Sequence, residues 1–220
     1  MRDAYTGDVT PGGPPAVRDV PGLRITKLSV GPLDNNVYLL RCTATGDTLL
    51  VDAAAEAQRI LGAVGDGRLT RVVETHGHGD HTGSMADIRA ATGAPLGCHA
   101  ADEPLMPVPV DERWSDGDVI TIGEAAVRCI HLAGHTAGGL ALVYEGDPTR
   151  PHLFTGDSLF PGGPGNTRGD SRAFAQLMGD LETKVFDALA DETWVYPGHG
   201  KDTTLGAERP SLPGWRARGW

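Results

Sequence analysis

From residue 23 onward, apolar positions come in short runs broken by turn-forming residues. LRITKLSV (23–30), NVYLLRC (36–42) and TLLVDA (48–53) are separated by Gly, Pro, Asp and Asn. Short β-branched or apolar runs bounded in this way predict three strands. Ala55–Val64 has helical spacing, with glycines near its end. Leu69–Thr75 predicts a further strand. His81–Ala91 predicts a helix with Met85, Ile88 and Ala91 on one face. PLGCHA (95–100) reads as a short strand. Residues 102–118 hold three prolines and little periodicity, and a loop of that length in a compact domain points to function. Strands resume at Val119–Ile122, Val127–Leu132, Leu140–Tyr144 and His152–Thr155. A Gly-rich loop follows at Gly162–Gly169. Arg172–Ala190 predicts a long amphipathic helix, since Phe174, Leu177, Leu181, Val185 and Leu189 recur at steps of three or four. Thr193–Tyr196 predicts the last strand, before PGHG and a polar tail. No repeat of solenoid period is present. Residues 1–22, rich in Pro and Gly, read as a flexible lead-in, and 23–220 as one domain, a mixed α/β sandwich.

Composition narrows the function classes. The 220 residues carry 19 basic and 29 acidic side chains, a net charge of −10 at pH 7, which argues against a broad polyanion-binding face and so against a nucleic-acid partner. Hydrophobic residues make up 40% and charged ones 22%, as in a globular protein. No apolar run approaches the roughly 20 residues of a membrane span, and the N-terminus has no apolar core of a secretory signal. Three widely spaced cysteines, Cys42, Cys98 and Cys129, form no disulfide framework and fall in predicted strands. They read as buried and structural, and the expected compartment is the cytoplasm. Nothing in the pattern sets an oligomeric state.

The chemistry concentrates in His76-Gly77-His78-Gly79-Asp80-His81, directly after the apolar strand RVVET. Imidazole and carboxylate at that density suit a divalent transition metal. Two apart in extended chain, His76 and His78 can point the same way, while Asp80 and His81 stand where the chain turns into a helix. One ion cannot easily take all four, which hints at two adjacent metals. Three further residues stand after strands among glycines: His135 in AGHTAGG, Asp157 in LFTGDSLF and His199 in VYPGHG. Loops at strand ends are where α/β folds place their sites. Of the remaining histidines, His99 reads as structural and His152 as exposed, while His131 could stand behind the ligands, in the core or on the surface.

Taken together, HGHGDH, His135 in GHT, Asp157 in TGD and His199 in PGHG resemble the metallo-β-lactamase superfamily over about Leu23–His199. The resemblance implies a four-layer αββα sandwich with metals in a cleft at one sheet edge. By that likeness His76, His78 and His135 bind a first ion, Asp80, His81 and His199 a second, and Asp157 bridges them. Asp80 is also assigned the catalytic part. Within the superfamily the chain is most similar to glyoxalase II-type hydrolases, through Asn36-Val-Tyr-Leu-Leu, TGDSLF and the bridging Asp157. Asn36 and Tyr38 are then expected near the cleft, with Tyr38 equally readable as a core residue. Two positions depart from that family: Asn166 stands where a basic residue holds glutathione, and Arg168 where a Tyr or Asp is usual. Both are candidate substrate-binding residues. Only 21 residues follow His199, so the helical C-terminal domain of the longer enzymes is expected to be missing.

The implied chemistry is hydrolysis. Two divalent ions, zinc first with iron or manganese as alternatives, lower the pKa of a shared water from 15.7 towards ~7, and the resulting hydroxide attacks a thioester carbonyl. The expected partner is a small-molecule thioester. The competing expectation is a mononuclear iron enzyme resembling persulfide dioxygenases, which needs only His78 or His76, His135 and Asp157. A non-catalytic binding module is disfavoured because no ligand is missing.

Overall fold

Strands that are apolar on both faces need cover on both faces. The computed structural model of the protein, which describes residues 5–219, meets that need with two sheets between two helical layers. The first sheet runs in order β1 (Ala16–Val20), β2 (Leu23–Val30), β3 (Asn35–Cys42), β4 (Asp47–Val51), β5 (Arg68–Val73), β6 (Leu96–Cys98) and β7 (Glu112–Arg113). It is antiparallel as far as β4 and parallel beyond. The second is built from β8 (Val119–Ile122), β9 (Ala125–His131), β10 (Leu140–Tyr144) and β11 (His152–Gly156). After a small hairpin of β12 (Leu159–Phe160) and β13 (Gly163–Pro164), β14 (Trp194–Pro197) pairs parallel to β11, and β15 (Thr203–Thr204) closes the edge.

Side-chain alternation divides the apolar residues among three cores. Leu23 and Ile25 of β2, and Tyr38 and Leu40 of β3, face inward. They meet Ile120, Leu142, Phe154 and Tyr196 of the second sheet. The opposite parity, Leu28, Val30, Val37 and Leu39, packs under α1 (Ala57–Val64) and α3 (Met85–Thr92), where Ile60, Met85 and Ile88 cover it, the short α2 (Gly79–Thr82) lying between them in the chain. On the far side, Ile130, Val143 and Leu153 pack under α4 (Ser171–Asp180), α5 (Leu205–Glu208) and α6 (Leu212–Arg218). Three cores make four layers, the αββα sandwich expected.

Several sequence expectations need correction. The stretch expected as a flexible lead-in carries β1, which pairs with β2 through a Pro21-Gly22 turn, Gly22 taking φ 81°. Tyr5 packs on Trp194 at 5.9 Å, edge to face, and residues 1–4 lie outside the described ones. The single helix expected over 81–91 is two. At Gly83 a Cβ would lie 2.7 Å from Ala54 O, and Ser84 N donates to Ala53 O, so the chain is pulled onto the loop after β4 and the helix breaks. The long helix of 172–190 is α4, continued over 181–186 as a wider π-type turn. The 102–118 loop holds a short 3₁₀ turn at Glu103–Leu105 and the strand β7. The polar tail forms α5 and α6, anchored by buried Trp215 against Phe186. His152, expected exposed, is fully buried between Tyr196 Oη (2.9 Å) and Asp147 Oδ2 (3.1 Å). All three cysteines are free and buried, as expected. Among the described residues no helix is long and apolar enough to cross a membrane.

Candidate metal centre

Every candidate ligand leaves the end of a strand at one edge of the sandwich. His76, His78, Asp80 and His81 follow β5, His135 follows β9, Asp157 follows β11 and His199 follows β14. The structure brings all seven together. Ligand atoms of His76, His78 and His135 lie within 4.8 Å of one another, and so do those of Asp80, His81 and His199. Asp157 stands between the groups. Its Oδ2 is 3.4 Å from His135 Nε2, 3.4 Å from His199 Nε2 and 4.0 Å from His76 Nε2, and its Oδ1 is 3.4 Å from His81 Nε2. Close approach of backbone makes this possible: a Cβ on Gly198 would lie 2.1 Å from Asp157 Oδ1, so the residue before His199 must lack a side chain.

Ring orientation is set from behind. The main-chain carbonyls of Asn166 and Leu33 accept from Nδ1 of His135 (2.8 Å) and His199 (2.9 Å). A carbonyl only accepts, so each Nδ1 carries the proton and each Nε2 presents a lone pair to the cleft. His81 Nδ1 lies 2.9 Å from Asp52 Oδ2, with the same result. Asp52 also accepts from Thr75 N (2.6 Å) and Thr75 Oγ1 (2.8 Å), and that hydroxyl lies 3.1 Å from His76 Nδ1. Asp52, His76 and His81 likewise lie within 4.8 Å, but both Asp52 oxygens are already bonded, which makes Asp52 an orienting group rather than a ligand. Asn35 donates to Asp80 Oδ2 at 2.9 Å. Asp52 and Asn35 were not singled out from sequence. The signal was present for Asp52, a lone carboxylate ending the apolar run TLLV, but its partner His81 is 29 residues away.

The donor set fits divalent metal. His78 Nδ1 lies 3.0 Å from His135 Nε2, and His81 Nε2 lies 3.1 Å from His199 Nε2. Nitrogens with lone pairs converging at such distances repel unless a cation or proton lies between them. Buried His76 Nε2 and Asp157 Oδ1 have no hydrogen-bond partner at all. Nitrogen and carboxylate donors are the usual set for zinc or iron. The titration of the metal-free chain follows the same crowding. Burial, then the His81 charge, pushes His76 well down, and burial and His135 lower His78. Burial works against charging His81, yet the neighbouring carboxylates of Asp157 and Asp52 carry it well above its ordinary value; Asp157 raises His199 in the same way. Burial opposes ionisation of Asp157 and Asp80 too. His199 and His81 nevertheless hold Asp157 far below the usual carboxylate range, and Asn35 and His81 lower Asp80.

The two candidate substrate-binding residues sit at the rim. Asn166 is exposed, but its Oδ1 accepts from Arg168 N at 2.7 Å, so its side chain builds the turn while its carbonyl orients His135. Arg168, at φ 55°, brings its guanidinium to 3.1 Å from His78 Nε2. Asn36 donates to the carbonyls of Pro197 (2.9 Å) and Gly200 (3.0 Å), and Tyr38 Oη donates to Pro197 O (2.6 Å), so both brace the strand end before His199. His99 and His131 stack on each other at 4.0 Å and belong to neither ligand triad.

Comparison with known proteins agrees with this geometry. The family model of the metallo-beta-lactamase superfamily matches residues 30–199. A hydroxyacylglutathione hydrolase of Rhodospirillum rubrum is 34% identical over 169 residues, covering 76% of this chain and 62% of the relative. The chain thus spans about three fifths of the length of that relative. Among solved structures, ETHE1 from Myxococcus xanthus superposes with a TM-score of 0.76 at 28% identity, covering 88% of this chain and 84% of that one. A protein crystallised in a di-iron-bound form does so at 0.71 and 28% identity, covering 86% and 98%. With seven His and Asp side chains gathered at strand ends of an αββα sandwich, and the family match spanning them, the chain belongs to the metallo-β-lactamase superfamily.

Proposed function

We propose that the protein is a binuclear metal-dependent hydrolase that cleaves the thioester of a small thiol. The observation that carries this reading is Asp157, one carboxylate within 3.4 Å of His135, His81 and His199, which belong to two separate ligand triads. His76, His78 and His135 would hold one divalent ion and Asp80, His81 and His199 the other, with zinc first and iron or manganese as alternatives. Such ions, when bound, supply Lewis acidity and an activated water at neutral pH. The chain's own groups do the rest. Main-chain carbonyls and Asp52 fix the imidazole tautomers. Asp80, steadied by Asn35 and held ionised, is the carboxylate available to take a proton from the attacking water. Arg168 offers a cation at the rim beside His78 for an anionic group of the substrate.

The hydroxyacylglutathione hydrolase relative supports the thioester, and the di-iron neighbour supports a metal pair. Glutathione itself is less supported than thioester chemistry, because Asn166 supplies no charge and its side-chain oxygen is engaged by the Arg168 amide. The second reading, a mononuclear iron persulfide dioxygenase, needs a histidine pair and Asp157, and His76, His135 and Asp157 are gathered for it as well. Metal analysis of protein purified without added metal, run beside a thioester panel and an oxygen electrode, separates the two. Two ions per chain with thioester turnover is the expected result. One iron per chain, oxygen uptake with a persulfide and no thioester cleavage would overturn it.

A further inference from the structure

The long loop of 102–118 begins on a buried carboxylate. Asp102 is fully buried, and its partners are two main-chain amides: Oδ2 accepts from Gly77 N at 2.9 Å and Oδ1 from Gly138 N at 2.6 Å. Gly77 separates His76 from His78, and Gly138 lies three residues after His135. One side chain therefore ties together the two loops that carry the whole His76–His78–His135 triad.

The clamp is itself held in place. Asp102 N donates to His99 O at 3.0 Å, and Leu105 N donates to Asp102 O at 2.9 Å. His99 stacks on His131 at 4.0 Å with the rings 9° apart, and His131 Nε2 donates to Ala137 O at 2.9 Å. The Asp102 loop is thus fastened to the His135 loop a second time, through a different pair of side chains. Space is tight at both amides. A Cβ on Gly138 would lie 2.7 Å from Asp102 N and 2.8 Å from Asp102 Oδ1, and one on Gly77 would lie 2.5 Å from Leu105 Cβ. The glycines of the two ligand loops are the residues that let the Asp102 loop close on them.

We propose that Asp102 is a positioning residue for the first metal site. It fixes the spacing of His76 and His78 against His135, and it places a carboxylate behind a triad made only of imidazoles. This rests on the binuclear reading above. Two amides demand two acceptor oxygens, which a carboxylate has and an amide side chain lacks. Asp52 serves the second triad differently, by bonding His81 Nδ1 directly and fixing a tautomer. Asp102 touches no ligand side chain in its hydrogen bonds and acts on backbone position, so its removal should fall on one site and spare the other.

The test is zinc titration by calorimetry of metal-stripped protein in two backgrounds. His81→Ala leaves the first triad intact, and His135→Ala leaves the second. In the His81→Ala background, Asp102→Asn should weaken zinc binding about 10- to 100-fold, the usual effect of losing a group behind a metal ligand. In the His135→Ala background it should change affinity less than about twofold. Gly138→Ala, which displaces the carboxylate without removing it, should repeat the selective loss should Asp102→Asn fail to fold. A merely structural role would weaken both backgrounds alike, and that result, or unchanged affinity in both, overturns the proposal. A parent chain that takes up fewer than two zinc ions would instead overturn the binuclear reading, independently of how Asp102→Asn behaves in the His81→Ala background.

Discussion

Asp157 meets four imidazoles from three chain segments with one carboxylate, and so stands against both ligand groups. Asp157→Ala should therefore lose both ions together and lower turnover by at least about 100-fold, more than His199→Ala does. Two retained metals with near-normal turnover would contradict the bridging role. The seven candidate ligands were legible because four crowd into HGHGDH after an apolar run and the other three stand among glycines shortly after one. The groups behind them were not: Asn35 reaches Asp80 across 45 residues, and nothing local marks it. His152 was misread for the same reason, since its cover comes from Tyr196, 44 residues on. That cover has a consequence for pH. Burial lowers the His152 pKa, against the pull of Asp147 and with the help of Arg18. The folded value lies below the unfolded one, so the stabilisation is full above about pH 6.5 and is lost as pH falls below it. The midpoint of urea unfolding, followed from pH 7 to 5, should fall less steeply in His152→Gln than in the parent. The difference is bounded by about 1.4 kcal/mol per pH unit for one proton, and parallel slopes would refute it.

At the scale of elements, short apolar runs made most strands readable, because burial on both faces leaves β10 apolar at every position and β3 apolar from Val37 to Leu40. Breaks in helices were not readable, since the split between α2 and α3 is imposed by the neighbouring Ala53–Ala54 backbone. Alternation also misleads at Lys27. It sits on the inward parity of β2 with Leu23 and Ile25 and is fully buried. Its Nζ donates to Asp202 Oδ1 (2.6 Å), Gly7 O (2.9 Å) and Gly200 O (2.7 Å), so β2, the N-terminal segment and the loop after His199 meet at one ammonium. Removing one partner of a buried pair leaves an uncompensated charge, at a cost of about 3–5 kcal/mol. Asp202→Ala should lose about that much in urea unfolding. The double variant Lys27→Met with Asp202→Leu should recover part of it, because the unpaired charge is gone although Trp194 Nε1 and Tyr5 Oη lose Asp202 as an acceptor. If the double variant is no more stable than the single one, the unpaired-charge account fails.

For the whole molecule, the metal site lies where the two sheets meet. His76, His78, Asp80 and His81 come from the first sheet, and His135, Asp157 and His199 from the second. Each triad draws on both, so each ion would be a cross-link between halves of the sandwich. The layers themselves were legible, because runs of strands with helices between and after them leave few ways to bury both faces of two sheets. Which strand ends would converge was not, since it depends on the parallel pairing of β11 with β14, which lie about 40 residues apart in the chain. Cross-linking predicts a thermal effect. A ligand bound only by the folded state at 100 times its Kd stabilises by about 2.7 kcal/mol, which for a chain of 220 residues corresponds to roughly 5–11 °C. Zinc should raise the melting temperature by about that amount, and a chelator should reverse it. Protons compete for the same nitrogens, and the metal-free chain already holds His81 and His199 above their ordinary pKa. The zinc increment should therefore shrink as pH falls from 7.5 to 5.5, with protons released on binding. An increment that stays constant across that range, or survives in His81→Ala combined with His135→Ala, would place the stabilising ion elsewhere on the protein.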